Sequence, residues 1–197
     1  MNVLTANRQR ALVVDYIHQA DADIVLLQEV NETWIDDLDK ALGADWPHRS
    51  ARQRSDNFGV AIYSKLPWTT CEVVDFSKGL PTPSLDALVE LPTGDTLRVI
   101  ATHPLPPTSE ANWRSRNELL VNVARAVAAG NPSRTLVAGD LNCTPWSYWF
   151  NHMLRESGLR NSALGHGLNA TWYPLPFPLC GLPIDHVLVG GKIAVVD

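Results

Sequence analysis

Cysteines are few in this sequence, and long apolar runs and a basic excess are missing. The three cysteines, Cys71, Cys143 and Cys180, are odd in number and far apart, which disfavours both a disulfide framework and a zinc site. No apolar run approaches the roughly 18 residues that a membrane-spanning helix needs, and the N-terminus lacks the basic and apolar regions of a signal peptide. Because 16 Lys and Arg stand against 21 Asp and Glu, the net charge of −5 disfavours non-specific binding of nucleic acid. A phosphate-bearing substrate held through a metal ion stays compatible with this charge.

The size and composition suit one soluble, folded domain. The chain has 197 residues, of which 45% are hydrophobic and 19% are charged, so it can bury a sizeable core without disulfides or a structural metal. We find no internal repeat and no low-complexity tract. We therefore expect a single domain over residues 1–197, and we expect it to be a monomer.

Apolar runs alternate with helical periodicity along the chain, which predicts an α/β fold. Helices are predicted at 8–19, between Asn31 and Gly43, and at 112–129, with a short helix opened by Thr144 and Pro145. The region 158–183 is rich in glycine and proline and is predicted to be a loop. Strands are predicted at 1–7, 23–28, 59–64, 71–74, 85–91, 97–102, 134–138, 184–189 and 192–196.

Polar side chains occur at the ends of several predicted strands, and their placement indicates a site. In a layered fold the strand ends converge on one rim, where binding groups are usually carried. Carboxylate and amide oxygens at such a rim suit Mg²⁺, a hard ion that keeps several of its waters. The residues are Asn7, Glu29, His103, Asp140, Asn142 and Asp185.

Asp140 and Asn142 are two residues apart, so in an extended segment both side chains point to the same face. One of them can orient an attacking water while the other holds a phosphoryl oxygen. A metal ion at the same place would polarise the phosphoryl group and stabilise the leaving oxygen.

Six elements follow one another in a specific order along the chain. They are Asn7, Gln28-Glu29-Val30, Gly59-Val60-Ala61-Ile62-Tyr63-Ser64, Thr102-His103-Pro104, Gly139-Asp140-Leu141-Asn142-Cys143-Thr144-Pro145 and Ile184-Asp185-His186-Val187. Each short motif is weak alone, but the ordered set is specific and spans essentially the whole chain. Together, these segments resemble the endonuclease/exonuclease/phosphatase superfamily, which has the deoxyribonuclease-I-like fold.

The resemblance implies a four-layer α/β sandwich of two packed β-sheets flanked by helices, and a hydrolase of phosphate esters that depends on Mg²⁺ or Mn²⁺. By matching position, Glu29 is the principal metal ligand, with Asn7 beside it. The other matching positions have the following implied roles: Asp140 activates the water, Asn142 contacts the scissile phosphate, His103 binds or protonates the phosphate, and Asp185 supports the metal and the catalytic imidazole.

One departure from the family pattern concerns the C-terminus. Members of the family normally carry a Ser-Asp-His strand after the Ile-Asp-His-Val element, and no such motif follows Asp185 here. His186 is a poor substitute, because alternation along the strand turns its side chain away from the face that Asp185 occupies. We expect either that the final strand is missing from this sequence or that catalysis is weakened.

The motifs around His103 to Pro107 and Thr144 to Ser147 look like those of bacterial members whose catalytic domain follows several N-terminal membrane helices. The resemblance therefore implies a native protein anchored in a membrane through segments absent from this sequence. The implied substrate is a phosphodiester, with nucleic acid first and a phospholipid or inositol-type headgroup second. A catalytically inactive module that binds a phosphorylated ligand is the alternative from another class.

Ordinary structural explanations stand beside each of these roles. Glu29 could be an acid at a helix start, Asp140 and Asn142 could form a turn, His103 could bond to the backbone, and Asp185 could pair with an arginine.

Two further sets of residues leave alternatives open. Arg114 and Arg116 could clamp phosphates or lie on an exposed helix start. The aromatic cluster could line a rim that stacks on bases or touches lipid, although core packing is the better expectation. It contains Trp146, Tyr148, Trp149, Trp172, Tyr173 and Phe177.

Overall fold

Two β-sheets form the centre of the computed structural model, which describes residues 1–167, 169–173 and 180–196. The smaller sheet is antiparallel with strand order β1-β3-β2, and the larger sheet has the order β4-β5-β6-β7-β9-β8. In the larger sheet β6 and β7 are parallel, while the other neighbours are antiparallel. The strands are β1 (Ile24–Gln28), β2 (His48–Arg52), β3 (Val60–Ser64), β4 (Trp68–Asp75), β5 (Pro83–Glu90), β6 (Thr96–Ala101), β7 (Thr135–Asp140), β8 (Arg160–Asn161) and β9 (Asp185–Val189).

Three of the four α-helices in the described part of the chain begin at side-chain caps that the sequence supplies. Asn31 accepts a hydrogen bond from the backbone N–H of Trp34, and Ser109 accepts one from that of Asn112. No helix in the described part of the chain is long and apolar enough to span a bilayer. The helices are α1 (Arg10–Ala20), α2 (Glu32–Leu42), α3 (Glu110–Ala128) and α4 (Tyr148–Ser157), with a short 3₁₀ helix at Pro132–Arg134.

Three clusters of buried apolar side chains hold four layers together. Residues such as Ile62 and Leu85 fill the space between the two sheets. Trp34 and Leu38 pack α1 and α2 against the small sheet, and residues such as Val123 pack α3 and α4 against the large sheet. The predicted four-layer α/β sandwich is therefore confirmed.

The N-terminal segment departs from the predicted strand at 1–7. Only its first residues lie beside β1, where the N–H of Val3 donates to the Gln28 carbonyl at 3.0 Å and that of Gln28 donates to the Met1 carbonyl at 3.1 Å. Leu4 then adopts left-handed backbone with φ 58°, and the chain turns away from the sheet.

Other predicted boundaries also change. The predicted strand at 192–196 is wrong, since this segment follows β9 as a turn and irregular chain. The fourth helix begins after Ser147 rather than Thr144. β2 was not predicted, and β8 lies inside the predicted loop at 158–183, of which residues 168 and 174–179 fall outside the described residues.

Candidate active site

A cleft of about 820 Å³ lies where strand ends of both sheets meet. Of the six predicted site residues, it brings together five: Glu29, His103, Asp140, Asn142 and Asp185. Glu29 follows a strand of the small sheet, whereas the other four lie in or just after strands of the large sheet. The packing of the two sheets therefore assembles the cleft.

Glu29 is held in place from two sides. Its Oε1 accepts a hydrogen bond from the side-chain amide of Asn2 at 2.7 Å, and its Oε2 accepts one from the backbone N–H of Thr5 at 3.3 Å. The Thr5 hydroxyl also donates to the Glu29 carbonyl at 2.8 Å. Glu29 adopts left-handed backbone with φ 64°, which is unusual for a residue with a side chain and often marks functional sites.

Asn7 is not among the residues that line the cleft, so the structure separates it from the other five predicted site residues. Its side chain stays local and accepts the backbone N–H of Gln9 at 2.9 Å. The turn at Leu4 carries Asn7 away from the sheet, and Asn2 lies beside Glu29 instead. Asn2 is brought there by a parallel β-bridge to Gln28, the last residue of β1.

Asp140 ends β7 in a buried position, 7% exposed. Burial raises the pKa of its carboxyl to about 6, with the nearby Asp185 adding to the rise and His103 opposing it. Asp185 lies directly opposite in the β7–β9 register. A carboxyl with a pKa near neutral can take up a proton from water in the physiological range.

His103 follows β6 and has one ring nitrogen committed to the backbone. Its Nδ1 lies 3.1 Å from the carbonyl oxygen of Asp140. Since a carbonyl only accepts, Nδ1 carries the proton, and Nε2 faces Glu29 with 3.8 Å to Oε1. Phe58 stacks on the imidazole with ring centroids 5.3 Å apart. The bond to the backbone thus occupies Nδ1 and leaves Nε2 facing the cleft, so it is compatible with the predicted phosphate-binding role of His103.

Asn142 connects the loops around the cleft. It adopts left-handed backbone with φ 49°, and its N–H donates to the Asp140 carboxylate at 2.9 Å. Its side-chain amide donates to the Pro104 carbonyl at 2.9 Å, which uses one of its two N–H groups.

Asp185 and His186 point in opposite directions, as the alternation predicts. Asp185 lines the cleft, and its backbone N–H donates to the hydroxyl of Thr171 at 3.0 Å. His186 is buried on the helix side, where its Nε2 donates to the Cys143 carbonyl at 2.7 Å. The centroid of its ring lies 4.4 Å from that of Phe150. Burial lowers the pKa of His186.

Two further residues belong to the site: no role is predicted for Gln28, and for Arg116 phosphate binding and an exposed helix position are both open. Gln28 is buried between the sheets, where its side chain accepts the N–H of Asp140 at 3.0 Å and donates to the Thr102 carbonyl at 2.6 Å. Arg116 is also buried and lines the cleft, whereas Arg114 is exposed and pairs with Glu110. The position of Gln28 directly before Glu29 is the available signal for Gln28; nothing in the sequence separates Arg116 from Arg114.

The aromatic residues near the cleft are mostly exposed, so the expectation of core packing is wrong for them. Trp172 lines the cleft and is 47% exposed. Trp146, Tyr148 and Tyr173 are also exposed, while Trp149 is half-buried. Phe177 lies outside the described residues.

The donor atoms at Glu29 fit a hard divalent cation. The Glu29 carboxylate and the Asn2 carbonyl are oxygen donors, and the Asn2 carbonyl spends one lone pair on the N–H of Leu4 at 3.0 Å. Within the described residues no group of three His, Cys, Asp or Glu forms an all-protein metal site. Mg²⁺ suits such a place, because it binds through one or two carboxylates and keeps its waters. The residues therefore fit Mg²⁺ or Mn²⁺.

Solved structures with the same fold are distant in sequence. TDP2 from D. rerio complexed with single-strand DNA product is 18% identical with a TM-score of 0.71, over 94% of this chain and 78% of that one. Sphingomyelinase C from Streptomyces griseocarneus is 19% identical with a TM-score of 0.70, over 95% and 79%. β toxin from Staphylococcus aureus with bound magnesium ions is 18% identical with a TM-score of 0.71, over 91% and 74%. At these identities the likeness establishes the fold.

The sequence itself matches one family model over its whole length. The model is described as the Endonuclease/Exonuclease/phosphatase family and matches residues 1–197. No curated protein matches the chain. Membership of this family supports a hydrolytic phosphoesterase or nuclease. A match over all 197 residues establishes that the chain belongs to the endonuclease/exonuclease/phosphatase family.

Proposed function

We propose that this protein is a phosphodiesterase that depends on a divalent metal ion, Mg²⁺ or Mn²⁺. The observation that carries the proposal is the convergence of Glu29, His103, Asp140, Asn142 and Asp185 on one cleft. These side chains come from distant parts of the sequence and from both sheets. Acids, an imidazole and an amide around one cleft are the groups that phosphoester hydrolysis requires.

Glu29 and Asn2 are the residues that would hold the metal ion. When bound, the ion supplies a positive charge that polarises the phosphoryl oxygen and stabilises the leaving oxygen. Asn2 and Thr5 restrict the Glu29 carboxylate to one orientation before any ligand arrives. The site is thereby preorganised.

Asp140 is the group that takes a proton from the attacking water. Its carboxylate is oriented by the N–H of Asn142, and its position is fixed by Gln28. Burial beside Asp185 favours proton uptake on this carboxyl. Asp185 thus acts on Asp140 through its charge.

His103 and Asn142 bind the phosphoryl oxygens. His103 offers Nε2 to the cleft because its Nδ1 is bound to the Asp140 carbonyl. When Nε2 is protonated it can donate to a phosphoryl oxygen or to the leaving group. Asn142 offers the second N–H of its amide, since the first is bound to Pro104.

The substrate class is a phosphodiester, with nucleic acid favoured over a phospholipid or inositol-type headgroup. TDP2 with bound DNA and sphingomyelinase C share the fold, so either substrate suits this architecture. The exposed ring of Trp172, which lines the cleft, suits stacking on bases, and Trp146 and Tyr148, the chain neighbours of the cleft residue Ser147, are also exposed. The same rings also suit contact with lipid.

Hydrolysis of bis(4-nitrophenyl) phosphate tests the proposal. We expect turnover with Mg²⁺ and none after chelation by EDTA, and we expect Glu29→Ala and Asp140→Ala each to lower kcat/KM by about 100-fold or more. Exposed acids elsewhere provide matched controls, Glu90→Ala and Asp36→Ala, which should stay within about 3-fold of the wild type.

Two results would contradict this proposal. Metal-dependent turnover that survives both substitutions would reject the site. Tight binding of a phosphodiester without any turnover would favour the alternative, an inactive module that recognises a phosphorylated ligand.

A further inference from the structure

Arg116 is a buried cation in the wall of the cleft. It lies in α3, is 5% exposed, and lines the same cleft as Glu29 and Asp140. Among the described residues that line this cleft, it is the one lysine or arginine. The cleft thus combines a carboxylate-rich part with a single permanent positive charge.

No carboxylate in the described part of the chain pairs with Arg116. Its Nη1 donates to the Asn142 carbonyl at 2.6 Å, and its Nε donates to the side-chain oxygen of Asn117 at 2.8 Å. Both acceptors are neutral, and burial lowers the pKa of Arg116. Arg98, by contrast, is held by the carboxylate of Asp86 at 2.6 and 2.9 Å.

A buried cation without a counter-ion is costly, and the protein keeps Arg116 in place nonetheless. The two hydrogen bonds use two of its five N–H groups, which leaves donors for a ligand. Asn117 turns its oxygen toward Arg116, and its Nδ2 is buried without a partner among the described residues. Such an arrangement costs stability and orients the guanidinium.

Two helix starts that border the cleft add to its positive potential. Ser147 lines the cleft and is the N-cap of α4. Thr108 also lines it and directly precedes Ser109, the N-cap of α3. The start of a helix carries a partial positive charge that favours anions. Arg116 and the starts of two helices therefore border the same cleft.

We propose that Arg116 binds a second phosphate of the substrate, next to the scissile phosphodiester. It is then a specificity-determining residue that selects phosphodiesters with another phosphate nearby, as in a nucleotide chain, over those with a cationic headgroup. This inference rests on the proposed function, because it places the scissile phosphate at Glu29 and Asp140.

A matched pair of substrates separates this role from a structural one. Thymidine 5′-(4-nitrophenyl phosphate) and its 3′-phosphorylated counterpart share the same scissile bond and leaving group, and differ in the second phosphate. We expect wild-type kcat/KM to be about 10-fold higher for the 3′-phosphorylated substrate. In Arg116→Met this preference should fall to nearly one, with the loss in KM for the 3′-phosphorylated substrate. Arg116→Lys keeps the charge and should retain part of the preference, and the exposed neighbour Arg114→Met should retain all of it.

Three outcomes would overturn the inference. A wild-type preference near one rejects the inference without any variant. The inference can therefore be tested even if Arg116→Met does not fold. An equal loss for both substrates in a folded Arg116→Met protein means that Arg116 only fixes the Asn142 loop. A preference that Arg116→Met leaves intact places the second phosphate elsewhere.

Binding distinguishes failure of this inference from failure of the proposed function. If the wild type turns over neither substrate, calorimetric titration compares thymidine 3′,5′-bisphosphate with thymidine 5′-monophosphate. Tighter binding of the bisphosphate, by about 10-fold and lost in Arg116→Met, supports the role of Arg116 in a non-catalytic site. Equal affinities overturn it.

Discussion

The side-chain oxygen of Gln28, in the small sheet, accepts the backbone N–H of Asp140, in the large sheet, at 3.0 Å. The amide nitrogen of the same side chain donates to the carbonyl of Thr102 at 2.6 Å. Gln28 precedes Glu29 and Thr102 precedes His103, so one buried amide fixes the spacing between three residues of the site.

Replacing Gln28 by leucine should destabilise the protein. The substitution leaves the N–H of Asp140 and the carbonyl of Thr102 buried without partners, and we expect the free energy of unfolding to fall by about 2–4 kcal/mol. Urea denaturation followed by circular dichroism measures this change. The exposed Gln19→Leu on α1 is the control and should change it by less than about 0.5 kcal/mol. Equal stability of the two variants would show that the amide does not join the sheets.

Glycine is required at position 139 because neighbouring backbone and side-chain atoms leave no room for a Cβ atom. A Cβ there would lie 1.9 Å from the Thr102 carbonyl oxygen and 2.1 Å from the Gln28 amide nitrogen. We expect Gly139→Ala to cost about 3 kcal/mol or more and to lower the Tm strongly. Gly79→Ala serves as the control, since its Cβ would meet nothing within 4 Å. A normal Tm for Gly139→Ala, measured by scanning calorimetry, would contradict the close approach.

Asn2 and Asn7 allow a direct comparison of two asparagines near the N-terminus. Asn2→Ala removes the amide that bonds Glu29 at 2.7 Å, whereas Asn7→Ala removes a local contact with Gln9. We expect Asn2→Ala to weaken Mn²⁺ binding, measured by calorimetric titration, by about 10-fold or more. Asn7→Ala should leave the affinity within about 3-fold, and the reverse order would restore the role that the sequence predicts for Asn7.

Asp140 should make the stability of the metal-free protein depend on pH. The pKa of its carboxyl is about 6 in the folded protein against an ordinary 3.8, so between these values the folded state binds more protons than the unfolded state. Stability from this group is therefore full below about pH 4 and falls as the pH rises to about 6. Asp140→Asn should raise the free energy of unfolding on the order of 2 kcal/mol at pH 7.5, and much less at pH 4.

Thermal unfolding in EDTA at both pH values measures this difference. The exposed Asp36→Asn is the control and should show no gain at either pH. A gain for Asp140→Asn that is the same at both pH values would show that burial does not hold the proton on this carboxyl.

The sequence predicts the positions of cleft residues well where these residues are attached to buried apolar strands. The run from Ile24 to Gln28 predicts both a strand and the place where Glu29 emerges, and the run before Asp140 does the same. The opposite orientations of Asp185 and His186 follow from alternation alone. In these strands the local sequence pattern agrees with the structure because the strands are buried in the two sheets.

Errors in the sequence prediction arise where tertiary contacts override local signals. Leucine is an unusual residue for left-handed backbone, so nothing at Leu4 signals the turn that removes Asn7 from the cleft. β2 is composed largely of polar residues and becomes a strand by pairing with β3. Arg116 resembles an exposed helix residue, yet it is buried by the loop that carries Asn142.

The location of the cleft has a consequence for biosynthesis. Since Glu29 is delivered by one sheet and His103, Asp140, Asn142 and Asp185 by the other, a partly folded chain in which only one sheet has formed carries an incomplete set of these residues. The complete cleft therefore forms only when the two sheets pack against each other, in the same step as the finished sandwich.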